Sequence, residues 1–413
     1  MTSEQVAAAR LDAPASESGL RVCMLAYTFY ETDGRVIRYA EALARAGAQV
    51  DAITLYRPGQ ARREIINGVE VVRIQERQKN ERSRYQHIFK MLCFFFRSMV
   101  AVTRRHLTRR YDVIHVHSLP DFEVFAACIA KLLGARLILD IHDLSPEFYA
   151  NKFGKSSGSL VFRSLALVER SSVAFADHVI AANDLWFDKL QARCKARGKL
   201  TTFLNYPDRT IFRPGLRATT GDAPFVFVYP GSLNRHQGLD IAVNAFKLAA
   251  ADMPDAEFHI YGEGGAIDDI RVLIETSGMP DRIRLRPPLP IQKIAQIMAD
   301  SDVGIVPKRD DSFGGEAFST KILEFMALGV PLIVSATRID KHYFTDSLVR
   351  FFEPGSEQDL ARVMREAFSQ RARNQELVAN SLRHVENFTW TTKQQDYLSI
   401  VRGLTAGRPR RAT

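Results

Sequence analysis

Cysteine is scarce in this chain, and the few there are do not cluster. Cys23, Cys93, Cys128 and Cys194 stand far apart, with neither a CxxC pair nor a matching His pair, which excludes a disulfide framework and a finger-type zinc site. Long apolar runs are missing too. The most apolar stretch, MLCFFF, is broken at Arg97 before SMVAV and falls short of the roughly 20 residues a helix needs to cross a bilayer. Residues 1–19 hold no apolar h-region; they are polar, rich in Ala and Ser, and read as a disordered leader rather than an export signal. These absences predict reduced cysteines in a cytoplasmic protein without a membrane-spanning anchor.

Positive charge is present but uneven. The formal net charge is +9, and residues 62–110 hold thirteen Lys or Arg against four Glu, so the rest of the chain is close to neutral. That concentration predicts one surface facing an anionic partner: membrane, lipid-linked phosphate or nucleic acid. Residues 82–110 interleave basic side chains with Phe89, Met91, Leu92, Phe94, Phe95, Phe96 and Met99 in a predicted helix whose apolar residues exceed one narrow stripe. One face is expected to pack on a sheet while the remainder, with Arg97, Arg104 and Arg105, dips into an anionic bilayer surface. The alternative is a core helix with solvated arginines at its ends. No base-stacking or helix-turn-helix signature accompanies the charge, so nucleic acid is not an expected partner.

At 413 residues, 46% of them hydrophobic, the chain exceeds what one core organises, and two domains are expected. Short β-type runs alternate with segments of helical period almost throughout, the pattern of parallel sheets with crossover helices. VCMLAY, VDAITL, DVIHVH, ARLILDIH and DHVIAA read as strands of a first series. Around NYPDRTIFRPG the period fails, as in an interdomain connection. PFVFVYPG, AEFHIYGEG, RIRLRPPL, DVGIVP, VPLIVS and LVRFFEPG then read as strands of a second series. The predicted fold class is α/β, with two Rossmann-like doubly wound domains at 20–205 and 206–388, a helix at 389–405 packing back on the first, and a flexible tail at 406–413.

The most informative segment is GGEAFSTKILEFMALGVPLIVS at 314–335, where a Gly pair leads into a predicted helix and a strand follows Pro331. Glu316 and Glu324 are eight residues apart. On one regular helix they would lie about 80° apart in azimuth and about 12 Å along the axis, with Glu316 at the helix entrance. A long ligand could meet both, and the free amides at that entrance would favour phosphate oxygens.

E-x7-E followed by a G-x-P strand resembles the family 4 retaining glycosyltransferases, the group 1 enzymes of GT-B fold. The likeness extends to HVHSLPDF at 115–122, DIHDLSPEF at 140–148, YPGSLNRHQGLD at 229–240, IYGEG at 260–264 and FTW at 388–390. It implies two domains facing a central cleft and a nucleotide-sugar donor, a UDP-sugar by analogy with the family. The basic helix at 82–110, and not the motifs, adds the expectation of a lipid-linked or saccharide acceptor met at the inner face of the membrane. The likeness implies that Glu324 accepts hydrogen bonds from ribose hydroxyls, that Glu316 faces the reacting side of the transferred sugar, that His117 lies near the donor sugar, and that Asp143 neighbours the acceptor. The implied donor set also contains Gly231, Ser232, Arg235, His236, Phe318, Ser319 and Lys321. Relatives carry an arginine and a lysine where this chain has Ser232 and Gln237, which removes two charge-assisted phosphate contacts. Arg235, His236 and Lys321 are the candidates to replace them, although Lys321 could instead pair with Glu316 or Glu324. Asp300, Ser301 and Asp302 form a DxD triplet, but it precedes a strand, where Asp caps a turn more readily than it binds a ligand. No metal and no cofactor are therefore expected. A nucleotide-sugar-binding sensor or assembly subunit without turnover is the competing reading, and a GT-B epimerase fits the motifs poorly.

Overall fold

The computed structural model describes residues 17–77, 84–153, 158–216 and 224–407. Most of the predicted leader, Arg82 and the last residues of the tail lie outside the described residues. Contacts divide the chain into two units: residues up to Phe203 together with those from Gln394 onward, and Leu204–Lys393.

The first unit is built on eight strands: β1 (Arg21–Phe29), β2 (Gln49–Tyr56), β3 (Arg63–Ile66), β4 (Val69–Glu76), β5 (Val113–His117), β6 (Arg136–Ile141), β7 (His178–Ala181) and β8 (Leu200–Thr202), in the order β3-β4-β2-β1-β5-β6-β7-β8. Val22, Met24, Leu25, Ile114, Val116, Leu137 and Leu139 are fully buried. Near-continuous apolar runs of this kind follow from a parallel sheet covered on both faces. Among the described residues only β3 and β4 pair antiparallel. Their two-residue turn, Asn67-Gly68, has φ of 48° and 82°, the positive pair that a type I′ hairpin requires. The strand pattern read from the sequence passes over this hairpin.

The second unit carries β9 (Phe225–Pro230), β10 (Ala256–Tyr261), β11 (Ile283–Arg286), β12 (Val303–Val306), β13 (Leu332–Ser335) and β14 (Arg350–Phe352), all parallel, in the order β11-β10-β9-β12-β13-β14. Phe227, Phe246, Phe258, Ile260, Ile305 and Phe352 anchor its core, and burying each contributes about 1.5–3 kcal/mol. Both sheets are doubly wound, as the alternating pattern predicts. Strand order reverses between β1 and β5 in one and between β9 and β12 in the other, and the carboxyl ends of such strands are where α/β folds receive ligands.

The helix Trp390–Thr405 sends Tyr397 into the core of the first unit, its hydroxyl 3.0 Å from His115 Nδ1, and Arg402 onto the buried carboxylate of Glu17. The predicted basic helix spans Arg84–Arg109. It buries Met91, Phe94, Ser98, Val102 and His106 and turns Phe89, Leu92, Phe96, Val100 and Leu107 outward, Phe89 being 67% exposed and Leu107 62%. Arg97 and Arg104 are exposed beside that apolar line. Arg105 is a correction to the membrane-facing set. Asp51 on β2 and Glu70 on β4 each accept from its guanidinium at 2.6 Å, because the two neighbouring parallel strands bring both carboxylates under the helix. Among the described residues no helix is long and apolar enough to cross a membrane, and the four cysteines are free thiols.

Candidate functional site

At the first reversal of strand order, β5 ends in His117 and β6 is followed by His142 and Asp143. The helix Gly34–Arg45 begins beside them because Asp33 accepts from the backbone N–H groups of Arg35 and Val36, a capping arrangement that fixes the first turn. Arg35 is thereby aimed inward. Its Nε and Nη2 donate to the two oxygens of Asp140 at 2.8 Å each, and Nη1 donates to the Phe203 carbonyl at 2.9 Å. Burial would raise the Asp140 carboxyl, but Arg35, with His142 and His117, holds it well below the usual carboxylate range. His142 Nε2 is 3.0 Å and His117 Nδ1 3.3 Å from the same Asp140 oxygen. Burial depresses both His117 and His115, keeping the rings neutral, and the two stack with centroids 4.2 Å apart. Asp143 is pushed up by burial.

His115, His117 and Asp140 present ligand atoms within 4.8 Å of one another, a spacing that a metal could bridge. The donor set does not fit one. Asp140 is occupied bidentately by a guanidinium, and a second cation against the same carboxylate would meet the Arg35 charge in a dry environment.

The second reversal gathers most of the remaining candidates. After β9 the loop passes Gly231 and Ser232, makes a 3₁₀ turn at Arg235–Gln237, and enters the helix Leu239–Ala249 through Gly238. Gly238 has φ of 68°, and a Cβ there would lie 2.0 Å from the Pro307 carbonyl oxygen. At Gly231 a Cβ would lie 2.3 Å from Lys321 Cε. Lys321 therefore lies directly against the Gly231 backbone, with its ammonium 5.1 Å from the centre of the Tyr229 ring. Burial lowers it to about 8, offset in part by Glu324. Gln237 is scaffold: Tyr229 Oη donates toward its Oε1 at 3.1 Å and to the Ser232 carbonyl at 2.8 Å, and its Nε2 lies 3.0 Å from His236 Nε2. His236, depressed by burial, meets Phe313 edge to face. Ser232 and Arg235 are exposed.

Glu316 is not on the helix. That helix is Thr320–Leu328, with Ser319 at its cap, so Glu316 stands in the turn ahead of it and Glu324 is little more than one turn in. The geometry of one regular helix carrying both glutamates is thus corrected. Asp311 accepts from the backbone N–H of Phe313 and Gly314, Ile339 N donates to the Gly315 carbonyl, and Lys308 Nζ donates to the carbonyls of Gly314 and Ala317. Within 311–317 Gly315 N donates to the Asp311 carbonyl and Ala317 N to the Phe313 carbonyl, but with the Gly314 and Ala317 carbonyls taken by Lys308 the segment stays a turn and does not run on into the helix. Lys308 itself is 2% exposed and paired with Asp340 at 2.9 Å. Glu316 accepts from Arg338, not from Lys321. Phe318 packs edge to face on Tyr343, and the Ser319 hydroxyl is buried with no partner among the described residues.

The structure thus brings Gly231, Ser232, His236 and Lys321 around one loop, pairs Glu316 with Arg338 in the turn ahead of the helix, and keeps His117 and Asp143 in the other unit. Reading the sequence missed Arg35, Asp140, His142, Lys308 and Arg338. A signal existed for two of them: Arg35 opens a helix behind an Asp cap, and Lys308 follows the end of β12, where a charged residue belongs to a site more often than to a core.

Family models match nearly the whole chain, a glycosyl transferase 4-like domain over residues 34–205 and glycosyl transferases group 1 over 217–384. The D-inositol 3-phosphate glycosyltransferase 1 of Catenulispora acidiphila is 27% identical over 318 residues, covering 72% of this chain and 73% of that protein. Among solved structures, the sucrose-phosphate synthase of Thermosynechococcus elongatus superposes with a TM-score of 0.78 at 18% identity, over 94% of this chain and 99% of the other. Anabaena HepE in complex with UDP-glucose superposes with a TM-score of 0.66 at 15% identity, over 92% and 99%.

Proposed function

The chain belongs to the group 1 glycosyltransferases, and from that premise we propose that it transfers a sugar from a UDP-sugar with retention, without a metal, to a lipid-linked or saccharide acceptor in surface polysaccharide or glycolipid synthesis. The observation that carries the reading is Lys321 lying against Gly231 at the carboxyl end of β9. An ammonium held there supplies the phosphate charge that Ser232 and Gln237 do not, and the amides at the start of Thr320–Leu328 with the unpaired Ser319 hydroxyl add donors for phosphate oxygens. Arg235 and His236 border the same loop. Glu324 takes the ribose hydroxyls, and Glu316 steadies positive charge on the anomeric carbon as the diphosphate leaves. The acceptor hydroxyl attacks on the face that the diphosphate vacates, and its proton passes to the departing phosphate oxygen. His117 meets the donor sugar and Asp143 the acceptor. HepE is solved with UDP-glucose, which supports the choice of base. The inositol phosphate in the name of the Catenulispora relative supports a polar, phosphate-bearing acceptor.

Titrating UDP-, GDP- and ADP-sugars onto the protein, with turnover measured in the presence of chelator, tests this. Lys321→Ala is expected to weaken donor binding about tenfold or more, as loss of a charge-assisted contact does. Phosphate binds the protonated ammonium, so with Lys321 titrating near 8 affinity should fall about tenfold from pH 7 to pH 9 in the parent and stay flat in Lys321→Ala. Equal affinities for parent and variant would sink the assignment. Binding without turnover would instead select the sensor reading, which the engagement of Gln237 by Tyr229 and His236 favours.

The outward line of Phe89, Leu92, Phe96, Val100 and Leu107 beside Arg97 and Arg104 supports docking on the inner face of an anionic membrane. Vesicles containing phosphatidylglycerol should capture the protein at low salt and release it at high salt. Phe89→Ser with Phe96→Ser should abolish capture, whereas Arg105→Ala should cost stability rather than membrane affinity. Capture unaffected by the double substitution would refute the surface.

A further inference from the structure

We infer that Asp140, clamped by Arg35, is a positioning residue that fixes His117 with its proton on Nδ1, so that the unpaired Nε2 accepts a hydroxyl hydrogen from the donor sugar. The inference rests on the reading of His117 as a donor-sugar contact. It starts from Asp140, an acceptor on all sides: Arg35 donates to both its oxygens at 2.8 Å, and one of those oxygens also faces His142 Nε2 at 3.0 Å and His117 Nδ1 at 3.3 Å. A carboxylate offers lone pairs only, so each histidine nitrogen that faces it must carry hydrogen. The nitrogens of His117 and His142 are also 3.2 Å apart; with the His142 hydrogen on the nearer Asp140 oxygen, a hydrogen on His117 Nδ1 keeps its lone pair from facing the carboxylate at 3.3 Å. The imidazole of His117 is neutral, because burial outweighs the pull of Asp140. A neutral ring protonated on Nδ1 has a bare lone pair on Nε2. That Nε2 is buried and has no partner among the described residues.

The ring cannot turn to relieve this. His115 stacks on one side at 4.2 Å, its own Nδ1 fixed 3.0 Å from the Tyr397 hydroxyl, and Tyr39 lies 5.9 Å from the His117 ring. His117 is therefore a hydrogen-bond acceptor of fixed direction, neither an acid nor a donor. What satisfies it is a hydroxyl group, the commonest donor on a hexose. A deoxy or fluoro substituent at the position it reads offers no hydrogen.

Asp140→Asn separates positioning from packing. Asparagine keeps one oxygen, which Arg35 claims, and turns its amide toward His117, so the ring must present a lone pair on Nδ1 and carry its hydrogen on Nε2. Long-range proton–nitrogen NMR spectra of the full chain labelled with nitrogen-15 histidine report the tautomer directly, His117 being identified by the signal lost in His117→Gln. The expected result is Nδ1–H in the parent and Nε2–H in Asp140→Asn, with donor turnover reduced about a hundredfold and KM nearly unchanged, as when a catalytic imidazole is held in the wrong tautomer. Nε2–H in the parent overturns the inference whether or not Asp140→Asn folds. An unchanged tautomer in Asp140→Asn overturns it as well. His117→Ala with undiminished turnover would overturn the donor-sugar reading of His117 instead, while leaving the tautomer to be decided by the spectra.

Discussion

Lys308→Met is expected to lower stability by about 3–5 kcal/mol and to abolish turnover, because it removes one partner of a fully buried ion pair and strands the other. Lys308 Nζ lies 2.9 Å from Asp340 Oδ2, with side-chain exposures of 2% and 0%. Asp340 has little else to rely on for charge: Thr337 donates one hydroxyl to it. The same ammonium also donates to the carbonyls of Gly314 and Ala317, on either side of Glu316. Methionine fills the space of the stem but leaves those carbonyls without their donor, so the turn that presents Glu316 loosens. The double variant Lys308→Met with Asp340→Asn removes the stranded charge and should regain a large part of the melting temperature. It should not regain turnover, since the carbonyls are still unheld. Calorimetry and donor turnover on the three proteins decide the matter. A single variant that melts with the parent would show that the pair does not hold this turn, and a double variant with restored turnover would separate Glu316 from Lys308.

Arg35→Met is the counterpart in the first unit and is expected to cost about as much, 3–5 kcal/mol by the same reasoning. Here the stranded carboxylate, Asp140, has two histidines beside it. Protonation of His142 or His117 would restore a cation at the cost of charging a buried ring, so the variant should be more stable at pH 5.5 than at pH 7.5; Lys308→Met should also gain toward acid, because burial already raises the Asp340 carboxyl and losing Lys308 raises it further. Denaturant unfolding at the two pH values measures it. Equal losses at both would mean that the histidines do not reach the carboxylate when Arg35 is gone.

How far the sequence reaches differs between these two places. The strands flanking both sites are legible because parallel strands covered on both faces must be apolar throughout, and runs such as VCMLAY and PFVFVYPG are. His117 and Gly231 follow from the same logic, as the residues where those runs stop. Glu316 does not. Its spacing from Glu324 is helical, but Lys308 takes the Gly314 and Ala317 carbonyls that would carry the helix on, and Lys308 is placed there by Asp340, which only the fold brings close. Arg105 failed for a related reason: the carboxylates that hold it come from β2 and β4, 54 and 35 positions away in sequence. The hairpin at Asn67-Gly68 is the opposite case. Its turn signal is local and explicit, an Asn-Gly pair between two short runs rich in β-branched residues.

The loop after β9 is fastened at both ends by closeness of backbone to neighbour: Gly231 against Lys321, and Gly238 against the carbonyl of Pro307. A side chain at Gly238 would have to move the Pro307 backbone, and one at Gly231 would displace the end of Lys321. Between them Ser232 and Arg235 are exposed and hold the frame only through their main-chain carbonyls, whereas Asn234 Oδ1 accepts from Gly265 N at 3.2 Å. Mutational change in this loop is thereby channelled to its outer residues. A lineage can exchange one donor for another by altering those few side chains, while the fastenings keep the loop folded through every intermediate.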